Sequence, residues 1–278
     1  MTTRVGFIGL GRIGKPMAIN VAKAGFDLMV YDVREEPLKE AARLGAKVAR
    51  SLKEAGRHGE IVEVAVVDDS QVEEVVSGDG GLLEVAAPGT IIAIHSTILP
   101  KTAKKVSEMA EAKGIKVLDA QVSGGEQGAR ERVLCYMVGG DKDVVETCRP
   151  VFSTSAANIF HMGELGMGAT TKIVQQVIVC INMLAASEAF FLAEKTGLNF
   201  DSLQQVIHVS AGQSFVADKW FERFKIEDEP LNVKRQRVEV FSKSLSPALD
   251  LARDLGLSLP GAALTQQLLA RALGIDEK

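Results

Sequence analysis

The pattern of apolar and polar positions divides the chain into two halves. Up to about residue 163, short apolar runs alternate with segments whose apolar residues recur at helical spacing, which predicts alternating strands and helices. Beyond residue 195 the pattern predicts helices only. A charged segment, residues 227–237, is predicted to be a solvated loop. The predicted strands cover residues 4–9, 26–31, 61–67, 90–95, 116–120, 133–138 and 156–161, and the later helices cover residues 201–210, 214–224, 247–255 and 264–273.

A long apolar segment, residues 166–195, connects the two halves. Hydrophobic residues fall on every side of its helical wheel, so the sequence predicts a helix that is buried all round. Lys172 stands near its start, where a buried ammonium group needs a partner or takes part in chemistry. The alternative is a core lysine whose side chain extends to the surface. About 20 apolar residues could also cross a bilayer, but five polar residues argue against a membrane span: Gln175, Gln176, Asn182, Ser187 and Glu188.

These patterns together predict an α/β protein with two domains. The first is an N-terminal Rossmann dinucleotide-binding domain, residues 1–163. The second is an all-α C-terminal domain, residues 164–278, which includes the long central helix that joins the two. A chain of 278 residues exceeds the usual size of a single core. Lys172 is expected at the junction of the two domains, where ligand clefts form.

The first predicted strand ends in a glycine-rich turn that is followed by a helical pattern. This context raises a weak six-residue motif to a dinucleotide fingerprint. The second strand ends in Asp32, close to the spacing of roughly 20 residues expected for the acid that binds the adenosine ribose. A carboxylate there repels a 2′-phosphate, so NAD is expected and NADP is less favoured, although Arg34 could pair with that phosphate. The predicted cofactor-binding residues of this region are Gly9, Gly11, Arg12, Ile13, Gly14 and Asp32.

Two later strand ends carry further candidate ligand-binding residues. Ser96 and Thr97 follow the strand at residues 90–95, and such strand ends face the ligand crevice, so we expect them near the nicotinamide or the substrate. Capping of the helix that begins at Pro100 is an equally good interpretation of these two residues. The turn at residues 123–125 combines the Ser123 hydroxyl with glycine backbone N–H groups, which could bind a carboxylate.

Charge and composition argue against several other functions. With 32 Lys and Arg against 36 Asp and Glu, the net charge of −4 lacks the basic excess that nucleic acids or anionic membranes attract, so neither partner is expected. The N-terminus shows no secretory or transit pattern, and a cytoplasmic location is expected. Neither a disulfide nor a metal site is expected, because the histidines lack ligand spacing and the cysteines are odd in number and widely spaced: Cys135, Cys148 and Cys180.

Three ordered motifs carry a resemblance to a known family. They are Gly-Leu-Gly-Arg-Ile-Gly-Lys-Pro-Met-Ala at residues 9–18, Leu-Asp-Ala-Gln-Val-Ser-Gly-Gly at 118–125 and Gly-Met-Gly-Ala-Thr-Thr-Lys at 166–172. Together they resemble the β-hydroxyacid dehydrogenase family, which includes 3-hydroxyisobutyrate dehydrogenase, tartronate semialdehyde reductase and glyoxylate/succinic semialdehyde reductase. The resemblance implies an NAD(P)-dependent oxidoreductase that transfers a hydride between the cofactor and a small 3-hydroxy acid or its semialdehyde. A homodimer or homotetramer is implied as well.

The resemblance also implies roles for particular residues. Lys172 would be the general acid/base, and Gln176, one helical turn later, would stand in the catalytic position of a family asparagine. Removal of a hydroxyl proton during hydride transfer is chemistry that a desolvated lysine suits. Lys243 would close over the cofactor or the substrate. The substrate would be held by Ser123, Gly124 and Gly125, with Thr97 near the nicotinamide.

The chain departs from the family pattern in ways that leave the substrate open. Gln176 replaces an asparagine, Gln121 replaces a proline, and Ser244 replaces an aspartate after Lys243. A strand that commonly ends in Leu-Pro beside the cofactor ends here in Val-Val-Asp68. The alternatives are a relative that acts on an imine, a β-hydroxy amino acid or a sulfonate, and a non-catalytic NAD-binding protein. The presence of Lys172 argues against the last.

Overall fold

The computed structural model of the chain describes residues 2–224 and 230–275. Its contacts divide the chain into two compact units, Met1–Lys172 and Ile173–Lys278, so that the boundary falls within one long helix. The strands of the first unit are β1 (Arg4–Ile8), β2 (Asp27–Tyr31), β3 (Lys47–Val48), β4 (Ile61–Val64), β5 (Ile91–Ile94), β6 (Lys116–Ser123), β7 (Leu134–Gly139) and β8 (Ala156–Gly163). Its helices are α1 (Gly14–Lys23), α2 (Glu35–Arg43), α3 (Leu52–His58), α4 (Asp69–Ser77), α5 (Pro100–Glu111), α6 (Gly125–Glu131) and α7 (Lys142–Phe152), and a short 3-10 turn covers Leu82–Glu84.

The strands of the first unit form one sheet in the order β3-β2-β1-β4-β5-β6-β7-β8. Neighbouring strands are parallel except β6 and β7, which are antiparallel. The strand order reverses between β1 and β4, and in doubly wound sheets the crevice at such a reversal binds ligands. The inner strands β1, β4, β5, β6 and β7 are buried on both faces, which explains the continuous apolar runs that the sequence shows for them, whereas the edge strands β3 and β8 are largely exposed.

The predicted fold class is confirmed, and each predicted strand corresponds to an observed one. Strand β3 was missed because two residues are too few for any periodic pattern. The strand predicted at residues 116–120 continues to Ser123, so the turn that was predicted to bind a carboxylate begins at the last residue of β6.

The second unit is built of helices. Helix α8 (Met167–Thr196) enters it from the first unit, and the others are α9 (Phe200–His208), α10 (Phe215–Asp218), a π-helical turn at Trp220–Phe224, α11 (Leu231–Asp254) and α12 (Pro260–Ala272). Aromatic rings fill much of its core: Phe190 packs against Phe221 and Trp220 with ring centroids 5.0 and 5.9 Å apart.

Helix α11 corrects the prediction for the charged segment. The sequence predicted a loop over residues 227–237 and a helix only at 247–255, whereas one helix runs from Leu231 to Asp254 with Pro247 inside it. Residues 227–229 lie outside the described residues. The prediction failed because a polar, exposed helix face has the same composition as a solvated loop.

Helix α8 also differs from its prediction. It was expected to be buried on every side, but Val174, Ile178, Phe191 and Leu192 are each more than half exposed. By length and composition α8 could cross a membrane. One side of it, however, packs into the core of the helical unit. The composition of a helix therefore does not show how many of its sides are buried. The residues on that buried side are Cys180, Met183, Ala186 and Phe190.

Candidate active site

The glycine-rich turn after β1 contains two glycines that the chain itself requires. Gly9 has φ of +92°, and a Cβ there would lie 2.4 Å from the Ala65 carbonyl oxygen. A Cβ on Gly14, the first residue of α1, would lie 2.1 Å from the Gly9 carbonyl oxygen. Both positions therefore need glycine for the turn to close and for α1 to pack against it.

Gly11 is a glycine of a different kind. A Cβ built on it would meet no atom within 4 Å, so packing within the protein does not demand glycine there. The open space lies beside backbone at the start of α1, where helix N–H groups attract phosphate. A pyrophosphate therefore fits this turn.

Of the other predicted residues, Ile13 directly precedes α1 and is half-buried, and Arg12 is exposed and paired with Glu126 at 3.5 Å.

Asp32 lies at the end of β2, with its carboxylate against the same turn. Oδ2 accepts a hydrogen bond from Leu10 N–H at 2.6 Å, and Oδ1 accepts one from Arg34 N–H at 2.9 Å. The Arg34 guanidinium also pairs with both carboxylate oxygens, at 3.0 and 3.2 Å. Burial raises the pKa of Asp32, but the hydrogen bonds from Arg34 and Leu10 outweigh burial and leave that pKa below its usual value. The carboxylate is therefore ionised at neutral pH.

Ser96 and Thr97 follow β5, as predicted, but they differ in environment. Ser96 is buried and its hydroxyl oxygen accepts a hydrogen bond from Val66 N–H at 2.9 Å, which joins the ends of β4 and β5. Thr97 is exposed. Neither side chain caps α5: the Asp69 carboxylate accepts the hydrogen bond from Leu99 N–H at 2.9 Å. The capping interpretation of Ser96 and Thr97 is therefore wrong.

The turn at residues 123–125 follows β6 directly. Ser123 pairs with Cys135 of β7, and directly opposite residues of an antiparallel pair carry their side chains on the same face. Gly124 and Gly125 have φ of +132° and +69°, which glycine adopts without strain. A Cβ on Gly125 would meet nothing within 4 Å, so the space beside this turn is open to a ligand.

The first turn of α8 lies against β6 and β7. The Asp119 carboxylate of β6 accepts hydrogen bonds from Gly166 N–H at 2.9 Å and from Ala169 N–H at 2.7 Å. A Cβ on Gly168 would lie 2.3 Å from the Asp119 carbonyl oxygen and 2.5 Å from that of Met137. The helix backbone is thus in direct contact with the backbone of both strands.

Lys172 lies on α8 directly after this first turn. The residue is only 8% exposed. Burial raises the pKa of the Cys135 thiol, and the positive charge of Lys172 opposes that shift, which means that the ammonium group lies within electrostatic reach of Cys135. Because Cys135 is the strand partner of Ser123, three residues far apart in sequence share one region of the first unit.

The remaining predicted site residues belong to the second unit. Gln176 lies on α8, half-buried, four residues after Lys172. Lys243 lies on α11, is exposed, and forms an ion pair with Glu239 at 2.7 Å. Among the described residues, no group of three or more His, Cys, Asp and Glu side chains could hold a metal ion.

Sequence reasoning missed two residues of this region. Asp119 was part of a recognised motif but was given no role. A charged residue inside an apolar strand run could have identified it, because a buried carboxylate needs hydrogen-bond donors. Cys135 was considered only as a member of a disulfide or a metal site, and neither was expected. Its position opposite Ser123 depends on the register of β6 and β7, for which the sequence carries no local signal.

Comparisons with known proteins cover both units. Residues 4–163 match the sequence family described as the NAD binding domain of 6-phosphogluconate dehydrogenase, and residues 166–277 match the one described as NAD-binding of NADP-dependent 3-hydroxyisobutyrate dehydrogenase. The 2-(hydroxymethyl)glutarate dehydrogenase of Eubacterium barkeri is 32% identical over 99% of this chain and 91% of its own length. The 2-hydroxy-3-oxopropionate reductase of Escherichia coli K12 is 36% identical over 95% and 89%.

A solved structure agrees with these matches. Mycobacterium tuberculosis 3-hydroxyisobutyrate dehydrogenase with L-serine superposes with a TM-score of 0.84 at 30% identity, and the match covers 98% of this chain and 94% of that one. The matching domains support a nicotinamide dinucleotide as the cofactor, which agrees with the open space at Gly11.

Alanine substitutions at Gly11 and at Gly14, both in the turn after β1, should have different effects. Replacement of Gly11 by Ala should leave the melting temperature unchanged and weaken dinucleotide binding by about tenfold or more, or roughly 1.4 kcal/mol, because the methyl group occupies the phosphate space. Gly14→Ala should instead destabilise the fold by about 1–3 kcal/mol through overpacking against the Gly9 carbonyl. Thermal unfolding and NADH fluorescence titration measure the two effects. Unchanged NADH affinity in Gly11→Ala would mean that the phosphates bind elsewhere.

Proposed function

This chain belongs to the β-hydroxyacid dehydrogenase family, as its three motifs predict, and we propose that it transfers a hydride between NAD and a small 3-hydroxy acid or the corresponding semialdehyde. The observation that best supports the proposal is a buried lysine, Lys172, whose positive charge acts on Cys135, the strand partner of Ser123. A lysine there can serve proton transfer while the turn binds an anion.

The proposed division of labour follows from the environment of each residue. A bound nicotinamide dinucleotide supplies the acceptor or donor of the hydride. Lys172 takes the hydroxyl proton during oxidation of the alcohol and returns it during reduction of the aldehyde, assisted by Gln176 one turn later. Ser123, with the backbone N–H groups of Gly124 and Gly125, binds the substrate carboxylate.

The cofactor contacts are proposed from the same geometry. Gly9, Gly11, Arg12, Ile13 and Gly14 form the phosphate-binding turn, and Asp32 accepts from the ribose hydroxyls. Ser96 and Thr97, at the end of β5, are proposed to contact the nicotinamide or the substrate. Lys243 is proposed to close over the bound ligands.

The identity of the substrate is left open by two substitutions. Gln176 presents the same amide as the family asparagine one methylene further out, and such differences change discrimination between substrates by about 1–3 kcal/mol. Gln121 is buried, donates to the Ile94 carbonyl oxygen at 3.3 Å and has a side-chain oxygen without a described partner. The proposed function is tested by NADH formation over a panel of 3-hydroxy acids that includes L-serine and sulfonate analogues. No activity with any hydroxy acid would contradict the proposal and leave the imine-reducing and the non-catalytic alternatives, which a test of imine reduction would separate.

Lys172 and Ser123 should differ in which kinetic parameter they control. Lys172→Ala should lower kcat by about 10² to 10⁴, the usual contribution of a positioned acid or base, without loss of NAD affinity. Ser123→Ala should mainly raise the KM for the acid, because its hydroxyl contributes to binding in both ground and transition states. Steady-state kinetics with isothermal titration of NAD separate these effects. Wild-type turnover in Lys172→Ala would make this residue structural and remove the basis of the proposed mechanism.

The ionised Asp32 generates the cofactor prediction. NAD should be preferred over NADP by at least about tenfold in kcat/KM, roughly 1.4 kcal/mol, since a 2′-phosphate would approach a carboxylate. Asp32→Asn should reduce the preference, whereas Arg34→Gln, the matched control, should preserve it because Arg34 is already paired with Asp32. Equal turnover with NADP in the unmodified protein would show that Arg34 dominates.

We further propose a cytoplasmic homodimer or homotetramer that acts on a small carboxylic acid and binds neither a nucleic acid nor a membrane. The exposed apolar side chains of α8 support self-association, since apolar patches on a protein surface commonly mark interfaces. Sedimentation equilibrium should give two or four times the mass of one chain. A monomer at micromolar concentration would contradict the proposal, and cell fractionation tests the location.

A further inference from the structure

Asp119 is a buried carboxylate that the proposed reaction does not use. It lies within β6 and is completely shielded from solvent. Burial raises its pKa, whereas the hydrogen bonds from backbone N–H groups, Gly166 and Ala169 among them, lower it and only partly compensate. Burial of a charged side chain is costly unless hydrogen bonds replace the lost hydration, so the partners of this carboxylate matter.

The partners of Asp119 are the backbone N–H groups at the start of α8. Such groups have no acceptor inside their own helix. Asp119 Oδ1 accepts a hydrogen bond from Gly166 N–H, and Oδ2 accepts one from Ala169 N–H. The two carboxylate oxygens therefore hold the start of the helix at two points. A negative charge also interacts favourably with a helix N-terminus. The cap comes from a strand 47 and 50 residues earlier, and the helix is therefore fixed to the sheet rather than only terminated.

Close packing limits the movement that remains. A Cβ on Gly168 would overlap the carbonyl oxygens of Asp119 and Met137, and a Cβ on Gly139 would lie 2.4 Å from Asp119 Oδ1. These contacts fix the distance of the helix from β6 and β7, and the two hydrogen bonds fix its rotation about its own axis. Ala169 and Lys172 are three residues apart on a helix, and such residues lie on the same side.

We propose that Asp119 is the positioning residue for Lys172: it sets the rotation and height of the first turn of α8 so that the lysine lies beside the Ser123 turn. This inference rests on the proposed role of Lys172 as the acid/base. Asp119 itself does not contact the reacting atoms. It acts through the helix backbone, over one turn.

A double-mutant cycle tests this inference. Asp119→Asn keeps the shape of the side chain but replaces one carboxylate oxygen with an NH₂ group. That group cannot accept a hydrogen bond from a backbone N–H, so one of the two hydrogen bonds to the start of α8 is lost. We expect kcat to fall by about tenfold to a hundredfold, the cost of a misplaced catalytic group, with NAD affinity unchanged. In the Lys172→Ala background the same substitution should change kcat by less than about twofold, because residues that act as a unit are not additive.

The control variant is Asp141→Asn. Asp141 caps α7 through two backbone N–H groups, those of Asp143 and Val144, at 2.8 and 3.2 Å, and α7 carries no proposed site residue. Its replacement should lower the melting temperature with little change in kcat. If Asp119→Asn does not yield folded protein, Asp119→Ser, which is smaller and keeps one acceptor, takes its place in the cycle.

The outcomes separate this inference from the proposed function. Full additivity of Asp119→Asn and Lys172→Ala, or a loss of NAD affinity that matches the loss of kcat, would show that Asp119 only stabilises the fold. Undiminished turnover in Lys172→Ala would instead overturn the proposed function, whatever Asp119 does. If Asp119→Asn lowers kcat only in the protein that retains Lys172, the result supports both the positioning role of Asp119 and the proposed function.

Discussion

The first backbone N–H groups of a helix must be satisfied from outside the helix, and in this protein the Asp119 carboxylate of β6 satisfies two of those at the start of α8. The start of the helix that carries Lys172 is held against the sheet by this interaction. It connects the only buried lysine among the described residues with the strand whose end carries the Ser123 turn. The two glycines that pack beneath it, Gly139 and Gly168, allow backbone to contact backbone, so the position of the helix does not depend on adaptable side chains.

The cofactor region depends on a second constraint, the shape of the turn after β1. Gly9 and Gly14 are required by the turn itself, whereas Gly11 leaves space that the protein itself does not fill. The Asp32 carboxylate is hydrogen-bonded to the same turn through Leu10 N–H, so the residue proposed to select the cofactor is held in place by the segment proposed to bind the cofactor's phosphates. The Arg34 side chain donates to the Leu10 carbonyl oxygen at 3.1 Å as well as to Asp32, and the turn and the end of β2 form one hydrogen-bonded unit.

Features with a local signal could be predicted from the sequence, and features that depend on distant contacts could not. All strands of the sheet except the two-residue β3 were recognised, because strands buried on both faces need unbroken apolar runs, as at Ile61–Val64. The exposed side of α8 and the full length of α11 were missed, because neighbours decide the burial of a helix and a polar helix resembles a loop. Lys172 and Ser123 were both singled out, but their proximity depends on the register of β6 with β7 and on the Asp119 contact, which no short motif encodes.

The central claim is that Lys172 and the Ser123 turn act on the same bound molecule. A crystal structure of the protein with NAD and a 3-hydroxy acid tests it most directly. We expect the substrate hydroxyl within hydrogen-bond distance of Lys172 Nζ, about 2.6–3.2 Å, and the carboxylate at the Ser123 hydroxyl and the following glycine N–H groups. A hydroxy acid bound with its hydroxyl away from Lys172, or with its carboxylate held by other residues, would contradict it.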